Sequence, residues 1–136
     1  MIVANSNLIA YLHLPGPMST IAERVLSKDP VWCTPPLWKS EFRSILFSYM
    51  RTQNMDLSTA QIHWQNAISH LGAHQCEVDS TRVLELARSS KLSAYDAEYV
   101  MLAEQLGVSL LTSDKQIIHE FPKLAMTPQI FLKERG

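Results

Sequence analysis

Short apolar runs of strand length alternate along the chain with longer segments whose apolar residues recur every three or four positions. That alternation predicts an α/β fold with a central parallel sheet and helices on both faces. Met1 to Ala4 reads as a buried strand, and Asn5-Ser6-Asn7 supplies turn and cap chemistry ahead of the apolar helix Leu8 to Leu12. Pro15-Gly16-Pro17 breaks that helix, Ser19 or Thr20 caps the next one to about Lys28, and Val31-Trp32-Cys33-Thr34 reads as a second strand. After Pro35-Pro36, the positions Trp38, Phe42, Ile45, Leu46 and Tyr49 mark one buried face of a helix from Leu37 to about Arg51. A helix from Ser58 to Leu71 is expected to end at Gly72, followed by a third strand at Gln75 to Val78 and a helix capped by Asp79 or Ser80. Ser93 starts a helix that closes at Gly107, and Val108 to Leu111 is a further strand. A last strand near Ala125-Met126 and a short helix after Pro128 complete the pattern.

Composition narrows the function classes. With 136 residues, 46% of them hydrophobic, one compact domain over residues 1–136 is expected. A net charge of −1 provides no global basic field for nucleic acid, so any such contact is local. Cys33 and Cys76 lie far apart with no C-x-x-C pair, which points to reduced thiols rather than a disulfide framework or a zinc site. The N-terminus lacks the basic region and cleavage site of a signal peptide, and no apolar run approaches the ~20 residues of a membrane span. A cytoplasmic protein without a membrane segment is expected.

Candidate chemistry sits where apolar runs end. Asp114 follows the strand Val108 to Leu111 directly, so its carboxylate emerges at the sheet's carboxyl edge, either as a cap for the next helix or as a ligand. Asp96, three residues after Ser93, resembles a capping box and still lies in a first helical turn from which it can reach a cation. Glu98 lies about 200° further round the helix and is expected at the surface. Glu41 borders the apolar face between Leu37 and Ile45, where a carboxylate is costly unless it pairs with a distant Arg or binds a cation. The scattered glycines exclude a phosphate-cradling loop, the five histidines form no HExxH, and no serine has a G-x-S-x-G setting. Trp32, Trp38 and Trp64 sit among apolar residues and are assigned to the core.

Taken together, Met1-Ile2-Val3-Ala4-Asn5-Ser6-Asn7, Pro35-Pro36-Leu37-Trp38-Lys39-Ser40-Glu41, Leu92-Ser93-Ala94-Tyr95-Asp96-Ala97 and Leu110-Leu111-Thr112-Ser113-Asp114 resemble the PIN-domain family, and within it the VapC-type ribonuclease toxins. The resemblance spans nearly the whole chain. It implies a three-layer α/β/α fold and an acid cluster that binds Mg²⁺ or Mn²⁺ for hydrolysis of RNA. Position by position, Glu41, Asp96 and Asp114 match the family's acids, while Asn7 and Thr112 match its supporting polar residues. Asn5 departs from the family, standing where the first strand normally ends in Asp.

The function implied is a metal-dependent endoribonuclease, the toxin of a toxin–antitoxin pair, acting as a homodimer restrained by a small antitoxin. The alternative is a catalytically degenerate PIN domain that binds RNA or protein, because Asn5 offers an amide oxygen but one negative charge fewer. At an effective dielectric near 20, a unit charge pair at ~4 Å is worth about 4 kcal/mol before desolvation and screening, a large share of a cation's affinity. Lys39, Arg43 and Lys115 lie near the acids in sequence and are candidate phosphate contacts.

Overall fold

The computed structural model of the chain describes residues 1–134. Its elements run β1 (Ile2–Ala4), α1 (Ser6–His13), α2 (Ser19–Lys28), β2 (Trp32–Cys33), α3 (Trp38–Thr52) and α4 (Leu57–Leu71). They continue with α5 (Ser80–Ser89), α6 (Ala94–Leu106), β3 (Leu110–Leu111), α7 (Lys115–Glu120), β4 (Ala125–Met126) and α8 (Pro128–Lys133). The four strands form one parallel sheet in the order β2-β1-β3-β4. Strands this short contribute few ladder hydrogen bonds, so the sheet is held mainly by what packs on its faces.

Those faces are set by the period-two alternation of side chains. Ile2, Ala4, Trp32 and Leu111 point to one side and pack with α1, α3 and α4 through Leu8, Ile9, Trp38, Phe42 and Leu71. Val3, Cys33, Leu110 and Ala125 point to the other and pack with α6 and α7 through Tyr99, Val100, Ala103 and Ile117. The result is the three-layer α/β/α arrangement that the alternating pattern predicts. Helix α6 is apolar nearly all round because its outer side is covered by α5, through Val83, Ala97 and Met101. Gly107 ends it in the left-handed region at φ 67°, its N–H bonded back to the carbonyls of Ala103 and Glu104.

One expected element is different. Gln75 to Val78 is not a strand: a 3₁₀ turn covers Gly72–His74, and Gln75 makes a single parallel bridge to Thr34. Thr34 N–H donates to His74 O, Cys76 N–H donates to Thr34 O, and pairing stops there. Val78 then turns into the core beside α5, and Asp79 caps that helix through Arg82 N–H, so the segment cannot stay in the sheet. Helix α4 starts one residue earlier than expected because Asp56 caps it, accepting from Thr59 N–H at 2.7 Å. Among the described residues no helix is long and apolar enough to cross a membrane.

Candidate active site

The chain leaves β1 toward β2 on one side and returns to β3 on the other, so the carboxyl ends of β1 and β3 flank a topological switch point. Asn5 follows β1 there. It is buried, its N–H donates to Leu111 O at the end of β3, and its side-chain Oδ1 accepts from the Ser6 hydroxyl at 3.2 Å. Asn7, in the first turn of α1, ties the two strand ends together. Its Nδ2 donates to Thr112 Oγ1 at 3.3 Å, and its Oδ1 accepts from Ser113 N–H at 3.4 Å. Thr112 is fully buried and its Oγ1 also accepts from Asp114 N–H at 3.0 Å. Asn7 and Thr112 thus fix the loop that carries Asp114.

Asp114 does two things. One oxygen, Oδ1, caps α7 by accepting from Gln116 and Ile117 N–H at 2.9 and 3.1 Å, which leaves Oδ2 outside the cap. Both alternatives for this residue are therefore compatible. Ser93 caps α6 by accepting from Asp96 N–H at 3.1 Å, so the expected capping turn is present and the Asp96 carboxylate stands in the first turn. Burial raises the Asp96 pKa above the usual carboxylate value, the Asp114 charge raises it further, and Glu41 adds to both. Asp96, Asp114 and Glu41 thus share one electrostatic neighbourhood, although they come from α6, the β3–α7 loop and α3.

Glu41 is held by a residue that sequence reasoning missed. The buried Tyr99, one turn beyond Asp96, donates its hydroxyl to Glu41 Oε1 at 2.6 Å. Burial first, and then the Glu41 charge it faces, push the Tyr99 pKa well above its ordinary value, so it stays a donor. Glu98 is a second departure. It is half-buried rather than a plain surface residue, and burial, Glu41 and Glu77, in that order, raise its pKa. Asp96 and Glu98 do diverge around α6, but Glu41 lies within the field of both.

The candidate cations are arranged differently. The Arg43 guanidinium lies 5.1 Å from the centroid of the Trp64 ring, facing α4. Lys39 is half-buried and Lys115 is exposed at the start of α7, next to Asp114. Among the described residues the one ion pair joins the N-terminal ammonium to Asp29, so no basic side chain neutralises Glu41, Asp96 or Asp114. Mutual repulsion without a counter-charge is what a bound cation relieves, and donors that are all carboxylate or amide oxygens suit a hard divalent ion such as Mg²⁺ or Mn²⁺. The residues fit such an ion by chemistry and charge. They do not make a closed cage: among the described residues no three His, Cys, Asp or Glu side chains stand close enough to hold an ion unaided.

A four-stranded parallel α/β/α domain with acids gathered at its switch point defines the class, and relatives give it a family. No protein-family model matches the chain. Ribonuclease VapC3 of Pyrobaculum aerophilum is 30% identical over 130 residues, which cover 93% of this chain and 98% of that protein. Among solved structures, the crystal structure of a Pyrobaculum aerophilum protein superposes with a TM-score of 0.77 at 20% identity, over 96% of this chain and 92% of that one. FitAcB of Neisseria gonorrhoeae gives 0.70 at 12% identity, over 95% and 99%. A toxin–antitoxin complex from Klebsiella pneumoniae gives 0.68 at 15%, over 94% and 98%. The chain belongs to the VapC family of PIN-domain proteins.

Proposed function

We propose that this protein is a metal-dependent endoribonuclease, the toxin component of a toxin–antitoxin pair. The observation that carries the reading is the convergence of Glu41, Asp96 and Asp114 into one uncompensated acidic field at the β1/β3 crevice. The family relationship to a ribonuclease at 30% identity supports the same activity. Asn5, Glu41, Asp96 and Asp114 would hold Mg²⁺ or Mn²⁺, which when bound supplies a water of lowered pKa and offsets charge developing on the phosphate. The chain's own residues do the positioning. Tyr99 fixes one Glu41 oxygen, Asn7 and Thr112 hold the Asp114 loop, and the exposed Lys115, next to Asp114, would meet the RNA backbone.

A second reading has a specific observation behind it. Asn5 is buried at the carboxyl end of β1 and carries no charge, so the site lacks one carboxylate that a tightly held cation would use. In that reading the chain is a degenerate PIN domain that binds RNA or protein without cleaving. Incubation of a labelled RNA with the purified chain and Mn²⁺ separates the two, with EDTA and Asp114→Asn as controls. Asn still caps α7, so the substitution removes charge without the helix N-cap. Metal-dependent cleavage lost in Asp114→Asn supports the nuclease; retention of RNA without cleavage supports the binding module.

The antitoxin would dock on an apolar groove of about 590 Å³ between α3 and α4, where Phe47 and Leu57 are 52% and 62% exposed. Contiguous exposed apolar surface of this kind marks protein interaction sites. Homodimerisation and a cytoplasmic location complete the proposal.

A further inference from the structure

Beside the acid cluster lies a second cleft, of about 330 Å³, lined in part by Pro36, Glu77, Val83, Leu84, Tyr95 and Glu98. That volume is within the range of small-molecule sites, about 300–1,000 Å³. Its floor is aliphatic, since Val83 is buried in the α5–α6 contact. Tyr95 directly precedes Asp96 in the chain and is 63% exposed, and Leu84 across the cleft is 65% exposed. Glu98 is half-buried in the wall and lies within the field of Glu41. The cleft therefore adjoins the proposed cleavage centre through Glu98, which faces the Glu41 charge, and through Tyr95, which shares that face of α6 and directly precedes Asp96 in the chain.

We propose that this cleft is a nucleobase pocket that takes an unpaired guanine of the RNA, stacked on Tyr95 and held through its Watson–Crick edge by Glu98. The inference rests on the nuclease reading for the source of the base. The chemistry of the walls selects it. Two carboxylates without a basic neighbour in the lining repel phosphate, so the occupant is a neutral ring with donors rather than the backbone. Ionised carboxylates only accept hydrogen bonds, two at a time when donors are adjacent and parallel. Guanine presents such a pair, N1–H and N2–H. Adenine and cytosine each place an amino donor beside an acceptor, and uracil flanks one N–H with two carbonyl oxygens that a carboxylate repels. Single-stranded RNA is read in this way, by splayed bases stacked on aromatic side chains and bonded along their exposed edges.

The test is fluorescence anisotropy in EDTA with labelled hexauridylates that carry one central guanosine, inosine or adenosine, bound to the full chain. Guanosine is expected to bind about ten-fold or more tighter than adenosine, with inosine, which lacks the N2 amine, in between. Tyr95→Ala is expected to weaken the guanosine RNA by about 5- to 100-fold, and Tyr95→Phe to restore it, because stacking needs only the ring. In Glu98→Gln the guanosine-to-adenosine ratio falls toward one. Equal affinity for the three RNAs overturns the proposal, as does a guanosine preference that survives both Tyr95→Ala and Glu98→Gln, or no RNA binding at all. It is also overturned if Tyr95→Ala alters sedimentation of the chain while leaving RNA affinity intact, since the cleft is then a protein surface. Cleavage in Mn²⁺ is scored separately. Cleavage without base preference leaves the nuclease reading standing and removes this one, and guanosine preference without cleavage does the reverse.

Discussion

Lowering the pH from 7 to about 4.5 should loosen the core at the contact between α1 and α4. His13 Nε2 and His70 Nδ1 lie 2.9 Å apart, with Trp32 against the His70 ring and Phe42 against His13. One nitrogen must donate and the other accept, so the bond cannot survive protonation of both rings, and burial disfavours the charge on either. Burial lowers the His13 pKa from 6.5 to about 4, with repulsion from His70 and then His63 adding to it; burial and then His74 lower that of His70. Because the folded value lies below the unfolded one, the unfolded chain binds more protons between about pH 6.5 and 4. The stability contributed by the neutral pair is complete above pH 6.5 and is lost as the pH falls through that window. At 1.36 kcal/mol per pKa unit, a shift of about 2.5 corresponds to about 3 kcal/mol, and incomplete burial of His13 reduces the working figure to about 1–2 kcal/mol. Urea unfolding followed by tryptophan fluorescence at pH 7.5, 6, 5 and 4.5 measures it, comparing the chain with His13→Gln, which keeps a donor but does not titrate. The chain should lose about 1–2 kcal/mol more than the variant. Parallel pH slopes would refute the reasoning.

Tyr99→Phe removes the hydroxyl that donates to Glu41 Oε1 and leaves a carboxylate oxygen short of a donor, which should cost about 1–3 kcal/mol in urea unfolding. Unchanged stability would mean that the bond contributes nothing net. Gly107→Ala should cost about 1 kcal/mol in thermal unfolding, because φ is positive while a Cβ there meets no atom within 4 Å. A loss several times larger would point to a clash that this geometry lacks. Asp56→Ala should lower the thermal unfolding midpoint by removing the cap on Thr59 N–H, and an unchanged midpoint would show that water replaces it.

The layer order and the parallel sheet were legible because local signals and burial agree: Ile2–Ala4 and Leu110–Leu111 are short, fully buried apolar runs, and α3 carries its core residues at helical spacing. Gln75–Val78 misleads because an apolar Val and a Cys resemble a strand, while what decides is that Val78 packs beside α5 and Asp79 caps that helix by accepting from Arg82 N–H. In the site, the acids at element ends were visible as polar islands. Tyr99 was not, since a tyrosine on an apolar helix face looks like core, and it is core apart from its hydroxyl. Glu98 was misread because spacing along one helix says nothing about Glu41 on another. The His13–His70 contact, between residues 57 positions apart, has no sequence signature either.

Cleavage of a 5′-labelled single-stranded RNA in Mg²⁺ and Mn²⁺, by the chain, by Asn5→Asp and by Asn5→Asp with Asp96→Asn, asks most directly whether the acids at the β1/β3 crevice form a nuclease centre. Introducing a carboxylate at position 5 should raise metal-dependent cleavage above that of the chain itself, and removing the Asp96 charge should abolish it. Absence of cleavage by all three, with the RNA retained in EDTA, would contradict a nuclease centre and leave a domain that binds RNA without cutting it.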